Sequence, residues 1–166
     1  GEKGALRDVV NDNYFGSVPE DRLKHDDKVV YFKGDGQYRS KIGFSAERAG
    51  AWLGSYDADN KLLTLVKYNK PTEIKDYVNS AWEIQKEPYK GDVVNSYNDG
   101  PPSPGAKPLG PFYELETSSP AAALKPGETL THIHTTYHIQ GDEEVIDAIM
   151  LKLLGVTSVE VVKVFK

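Results

Sequence analysis

Short runs of β-branched and aromatic residues, each halted within a few positions by Gly, Pro, Asp or Asn, fill most of this chain and point to an antiparallel β fold. Lys28-Val29-Val30-Tyr31-Phe32-Lys33 stops at Gly34-Asp35-Gly36, and Tyr38 to Phe44 alternates loosely before the next turn. Ala51 to Tyr56 and Lys61 to Tyr68 flank Asp57-Ala58-Asp59-Asn60, four turn formers in a row, so they predict a hairpin. Val93 to Tyr97 reads as a further strand. From Asp99 to Pro111 prolines and glycines accumulate, which makes loop, because proline has no N–H to give to a ladder. A loop within one domain is preferred to a linker between two. Phe112 to Thr117, and Thr129 to Ile139 after the turn Lys125-Pro126-Gly127-Glu128, complete the strands before the only helical pattern.

That helix is expected to begin at Asp142, with Glu143 and Glu144 in its first turn and Gly155 just past its end. Val145, Ile146, Ile149, Met150, Leu153 and Leu154 form its apolar stripe. Thr157 to Phe165 reads as a closing strand. The expectation is a mostly β chain, an antiparallel β sandwich with one helix near the C-terminus, in a single domain spanning 1–166.

Composition narrows function by exclusion. Ten Tyr, five Phe and two Trp in 166 residues supply a core, so disorder is not expected. A formal charge of −5 argues against a nucleic-acid partner, and no apolar run approaches the roughly 20 residues of a membrane-spanning helix. With no cysteine, disulfides, thiolate zinc sites and Cys nucleophiles are excluded, and nothing implies a cofactor. The chain opens Gly1-Glu2-Lys3-Gly4, without a Met or a basic n-region, so any targeting segment has been removed or never existed. A periplasmic or secreted location is preferred to the cytoplasm.

In Phe112 to Thr117, Tyr113, Leu115 and Thr117 point one way and Glu114 and Glu116 the other, about 6.6 Å apart at Cα for ~3.3 Å rise per residue. In a cleft one of them can be a general base, or an acid with a raised pKa; on an open flank they are only a solvated face. His132, His134 and His138 are expected on one face of the Thr129 to Ile139 strand. A cupin-like metal site is weighed and set below hydrogen bonding to a polar ligand, since His134 and His138 would lie ~13 Å apart along a strand. A calcium loop over Asp92 to Asp99 does not fit an EF-hand spacing. Arg39, Trp82-Glu83-Ile84-Gln85 and Asn95-Ser96-Tyr97-Asn98-Asp99-Gly100 carry the planar and amide groups that suit a sugar's apolar faces and hydroxyl rim; the last is equally a turn signal.

Phe112-Tyr113-Glu114-Leu115-Glu116-Thr117, then Leu124-Lys125-Pro126-Gly127-Glu128-Thr129 and a strand through Tyr137, resembles the C-terminal end of aldose 1-epimerases. Over Asn13 to Val164 the chain is similar to an uncharacterised bacterial branch of the galactose-mutarotase-like superfamily, with Arg39-Ser40-Lys41-Ile42-Gly43 and Gly54-Ser55-Tyr56-Asp57 among the shared segments. The resemblance implies a β supersandwich that binds carbohydrate on its concave face. Members are about twice as long, so the chain is expected to be the C-terminal half of one, pairing with the missing half or with a second copy. It places the general base of sugar-ring opening on Glu116; the family's histidine acid and Phe-Asn-Leu motif have no counterpart. The sequence reading is therefore a carbohydrate-recognising protein with Glu116 as candidate catalytic base, Arg39, Trp82, His132 and His134 as candidate substrate-binding residues, and no metal. The alternatives are a non-catalytic carbohydrate-binding module and, below it, a glycosidase using Glu114 and Glu116, or a metal-dependent cupin.

Overall fold

A computed structural model describes residues 10–70, 73 and 76–166; the opening Gly1-Glu2-Lys3-Gly4 lies outside them. Among the described residues the strands in chain order are β1 (Leu23–His25), β2 (Val30–Phe32), β3 (Ser40–Phe44), β4 (Trp52–Asp57), β5 (Leu62–Tyr68), β6 (Val94–Asn98), β7 (Tyr113–Thr117) and β8 (His134–Gln140). Helices α1 (Glu143–Leu153) and α2 (Ser158–Lys163) follow. The chain is mostly β and its sheets are antiparallel, as expected: β1-β2, β3-β6-β7 and β4-β5-β8. Among the described residues no helix is long and apolar enough to cross a membrane.

Contacts divide the chain into two compact units, each drawn from three separate stretches of sequence. The first takes the described parts of Gly1–Val18, Gly34–Ala49 and Asn69–Ile133, and so holds the β3-β6-β7 sheet. The proline-rich stretch from Asp99 to Pro111 lies wholly inside this unit and separates nothing. Ile42 and Val94 are buried on one face of the sheet; Lys41, Tyr97, Glu114 and Glu116 alternate onto the other.

The second unit takes Pro19–Lys33, Gly50–Tyr68 and His134–Lys166. Its core is Leu63 and Leu65 of β5, Ile146 and Met150 one helical turn apart on α1, and Val156. The expected hairpin is present. Asp57 closes it, its carboxylate accepting from the backbone N–H groups of Asp59 and Asn60 and from the Asn60 amide at 2.7 Å. A second turn escaped the sequence reading: the Asp26 carboxylate accepts from the N–H groups of Lys28 and Val29, folding the short β1 back on β2.

The C-terminus corrects one expectation. Asp142 stands at the N-cap of α1 without a side-chain cap bond, and Gly155, at φ +77°, ends that helix as anticipated. Thr157 to Phe165, however, is not a strand, so α1 is not the only late helix. Thr157 caps α2: its hydroxyl accepts from the Glu160 N–H, and the Glu160 carboxylate accepts from the Thr157 N–H at 2.7 Å. This reciprocal pair satisfies two N-terminal donors and outweighs the modest strand preference of four valines. Ser158 N–H also donates to Asp147 Oδ1 at 2.7 Å, fixing α2 to α1.

Candidate functional site

The polar face of the β3-β6-β7 sheet is built by register. Lys41 stands opposite Tyr97, which stands opposite Glu114; in the next row Gly43, Asn95 and Glu116 are opposed. Lys41 reaches diagonally across β6, and its ammonium donates to Glu116 Oε2 at 3.1 Å. The Lys41 side chain is only 13% exposed and that of Glu116 34%, so the pair is shielded, not a surface contact. Lys41 Nζ also lies 5.3 Å from the centre of the Tyr14 ring, a second hold on the same cation.

Glu114, an exposed residue two before Glu116 on the same face, has its carboxyl pushed above the ordinary glutamate value, first by the partial desolvation of its carboxyl and then by the neighbouring Glu116. Asp99, beyond the other end of β6, accepts from the Tyr97 hydroxyl at 2.7 Å and from the Gly110 N–H at 2.8 Å.

Aromatic rings continue the face. Phe15 meets Tyr97 edge to face with centroids 5.9 Å apart, and Tyr97 meets Phe112 at the same separation. The Arg39 guanidinium sits 4.0 Å from the Phe15 ring centre. Carboxylates, two cations and three aromatic rings thus share one sheet face.

A buried polar knot supports it from the N-terminal segment. The Tyr14 hydroxyl donates to Asp92 Oδ2 at 2.6 Å, Asn11 Nδ2 donates to the same oxygen at 2.9 Å, and Asn95 Nδ2 donates to the Tyr14 oxygen at 3.0 Å. Burial and the Asp92 carboxylate hold the Tyr14 hydroxyl far above its ordinary value, so it remains a donor. Gly43 makes room for the knot: a Cβ there would lie 2.1 Å from Asp92 Oδ2 and 2.7 Å from Asn95 Nδ2. The Asp92 oxygen considered for calcium is thus taken by protein donors.

The sequence-derived residues divide. Glu116 and Arg39 belong to this face. Trp82 is 97% exposed on the loop at 79–90, off the sheet, beside an open hollow of about 420 Å³ whose lining includes Asn79, Gln85 and Lys90. The histidines correct an expectation, for they do not share one strand face. Asn69 takes the backbone before β8, its side chain donating to Thr131 O at 3.1 Å and accepting from Ile133 N–H at 2.5 Å. The strand therefore starts only at His134. His132 Nε2 shares a 2.9 Å hydrogen bond with Thr117 Oγ1, meeting β7 on the side opposite Glu116. His134 and His138 lie on β8 in the second unit, bonded to Thr136 and Thr64. Among the described residues no group of three or more His, Asp or Glu is placed to hold a metal.

Tyr14, Phe15 and Lys41 were not singled out as site residues by sequence reasoning. Lys41 carries a legible signal, because it alternates with Ser40 and Ile42 in phase with Arg39. Tyr14 and Phe15 lie outside any strand and carry none.

Fold and site together define a mostly β protein with a carboxyl pair and an aromatic strip on one sheet face. The chain belongs to a family of unknown function, DUF6786, whose model matches residues 1–165. No curated protein and no solved structure matches it.

Proposed function

We propose that this protein recognises a reducing carbohydrate on the β3-β6-β7 face and that Glu116 is the general base of an aldose 1-epimerase-type reaction. The reading rests on one observation: Glu116, ion-paired to Lys41 and adjacent to Glu114, shares its sheet face with the Phe15–Tyr97–Phe112 strip. Aromatic rings suit the C–H face of a pyranose, and carboxylate, guanidinium and ammonium groups suit its hydroxyls. The Leu115-Glu116-Thr117 resemblance to the mutarotases supports the same residue as base.

Polarimetry on freshly dissolved α-D-glucose and α-D-galactose tests the reading. The protein is expected to speed anomer interconversion over buffer, and Glu116→Gln to cut that rate by roughly 10²–10⁴-fold, the usual worth of a general base. No acceleration with either sugar, or an unaffected Glu116→Gln variant, removes the epimerase assignment. The aromatic strip with Arg39 stacked on Phe15 favours a second reading, a non-catalytic carbohydrate-binding module. Calorimetric sugar binding that survives Glu116→Gln, without any acceleration, selects it.

A further inference from the structure

We infer that Glu114 is the general acid of this site, acting with Glu116 as one couple on the two oxygens of a single anomeric carbon, and that Lys41 is the positioning residue of Glu116. The inference rests on the epimerase reading and adds an acid where the mutarotases' histidine motif has no counterpart. Ring opening demands a proton taken from the O1 hydroxyl and a proton given to the ring oxygen O5, and both oxygens are bonded to C1. An acid and a base on the same side therefore suffice. Two residues apart on β7 and facing the same way, Glu114 and Glu116 meet that demand. Glycoside hydrolysis has a different requirement, a carboxyl on each side of the scissile bond, which neighbours on one strand face do not meet.

The two carboxyls are made unequal by their surroundings. Lys41 stands in the row of Glu114 but gives its 3.1 Å hydrogen bond to Glu116. Glu114 carries the raised carboxyl: desolvation pushes it up first and Glu116 next, Lys41 pulls less strongly the other way, and Asp99 adds the least. Among the described residues Tyr97, Arg39 and Tyr14, whose ring lies 5.3 Å from Lys41 Nζ, are further ionisable groups of the face. A carboxyl raised in this manner holds the proton that a general acid must give.

The step balances without a cofactor. The Glu116 carboxylate takes the O1 proton, the released electron pair forms C1=O1, and the C1–O5 bond breaks as O5 takes the Glu114 proton. After rotation about C1–C2 the Glu114 carboxylate recovers the proton from O5 as O5 attacks C1, and the Glu116 carboxyl returns a proton to O1. Both residues end as they began.

The experiment is the pH–rate profile of α-D-glucose and α-D-galactose interconversion for wild type, Glu114→Gln, Glu114→Asp, Glu116→Gln, Lys41→Met, Lys41→Arg and His132→Gln, each confirmed folded by circular dichroism. Wild type is expected to lose rate as pH rises through the Glu114 titration. Glu114→Gln should lose roughly 10²-fold in kcat together with that alkaline limb, while Glu114→Asp keeps a limb. Lys41→Met should lower kcat more than it raises KM, with Lys41→Arg restoring much of the rate. If Glu114→Gln keeps its rate and limb while Glu116→Gln is inactive, the couple is wrong and the Glu116 reading stands. Loss of the limb in His132→Gln but not in Glu114→Gln assigns the acid to that histidine and overturns the inference. A wild type that accelerates neither sugar removes inference and reading together.

Discussion

Asp92 shows how much of the site's shape depends on single side chains. Its buried carboxylate accepts from Tyr14 and Asn11, and both bonds span about eighty residues of sequence. Tyr14→Phe removes the shorter bond and leaves Asn95 Nδ2 without that acceptor, an expected cost of about 1–3 kcal/mol in urea unfolding. Gly43→Ala places a methyl where Asp92 Oδ2 now sits, and overpacking of this kind costs about 1–3 kcal/mol by the same measurement. Glu114 makes a prediction of opposite sense. Its folded carboxyl is raised above the unfolded value, so the native state binds the proton more tightly, and that contribution fades as pH rises from the unfolded titration through the folded one. Glu114→Gln should therefore gain stability relative to wild type across that rise, read as a pH-dependent difference in denaturation midpoint. Of these residues the carboxylates were legible in the sequence, because strand alternation puts Glu114 and Glu116 on one face whatever the rest of the chain does. The partnership of Tyr14 with Asp92 was not, because no local periodicity encodes a contact 78 residues away.

At the scale of elements, α2 is the instructive case. Val159, Val161, Val162 and Val164 favour a strand, yet Thr157 and Glu160 carry the spacing of a capping box. Thr157→Ala is expected to cost about 1 kcal/mol, with loss of helical circular dichroism. Glu160 is held below the ordinary glutamate value, first by the Thr157 N–H and then by the Thr157 hydroxyl. Its contribution is thus present above the unfolded titration and lost as pH falls through the folded one, so the Thr157→Ala penalty should shrink in acid. The helix α1 and the β4-β5 hairpin were readable from sequence because their signals are local: an i, i+4 stripe for one, Asp57 and Asn60 at fixed offsets for the other. The start of β8 was not readable, because the Asn69 side chain, more than sixty residues away, occupies Thr131 O and the Ile133 N–H.

At the scale of the molecule, neither unit is continuous in sequence, and this governs how the chain tolerates dissection. Leu63 and Leu65 come from the middle of the chain, while Ile146, Met150 and Val156 come from its end. Leu63→Ala, at a fully buried position, is expected to cost about 2–5 kcal/mol in urea unfolding. Removal of residues 134–166 deletes β8, α1 and α2 together, so the truncated chain should bind a hydrophobic dye and lose dispersed methyl resonances from Leu63 and Leu65. The sequence alone determined the mostly β antiparallel class, the hairpin, the late helix and the common facing of Glu114 and Glu116, because steric preference, alternation and turn chemistry act over a few residues. Tertiary structure alone decided that Lys41 pairs with Glu116, that Tyr14 and Phe15 close on β6, and that His132 bonds to Thr117 of β7. Those outcomes depend on strand order and on long-range hydrogen bonds, where the gain comes from burying groups that are distant along the chain.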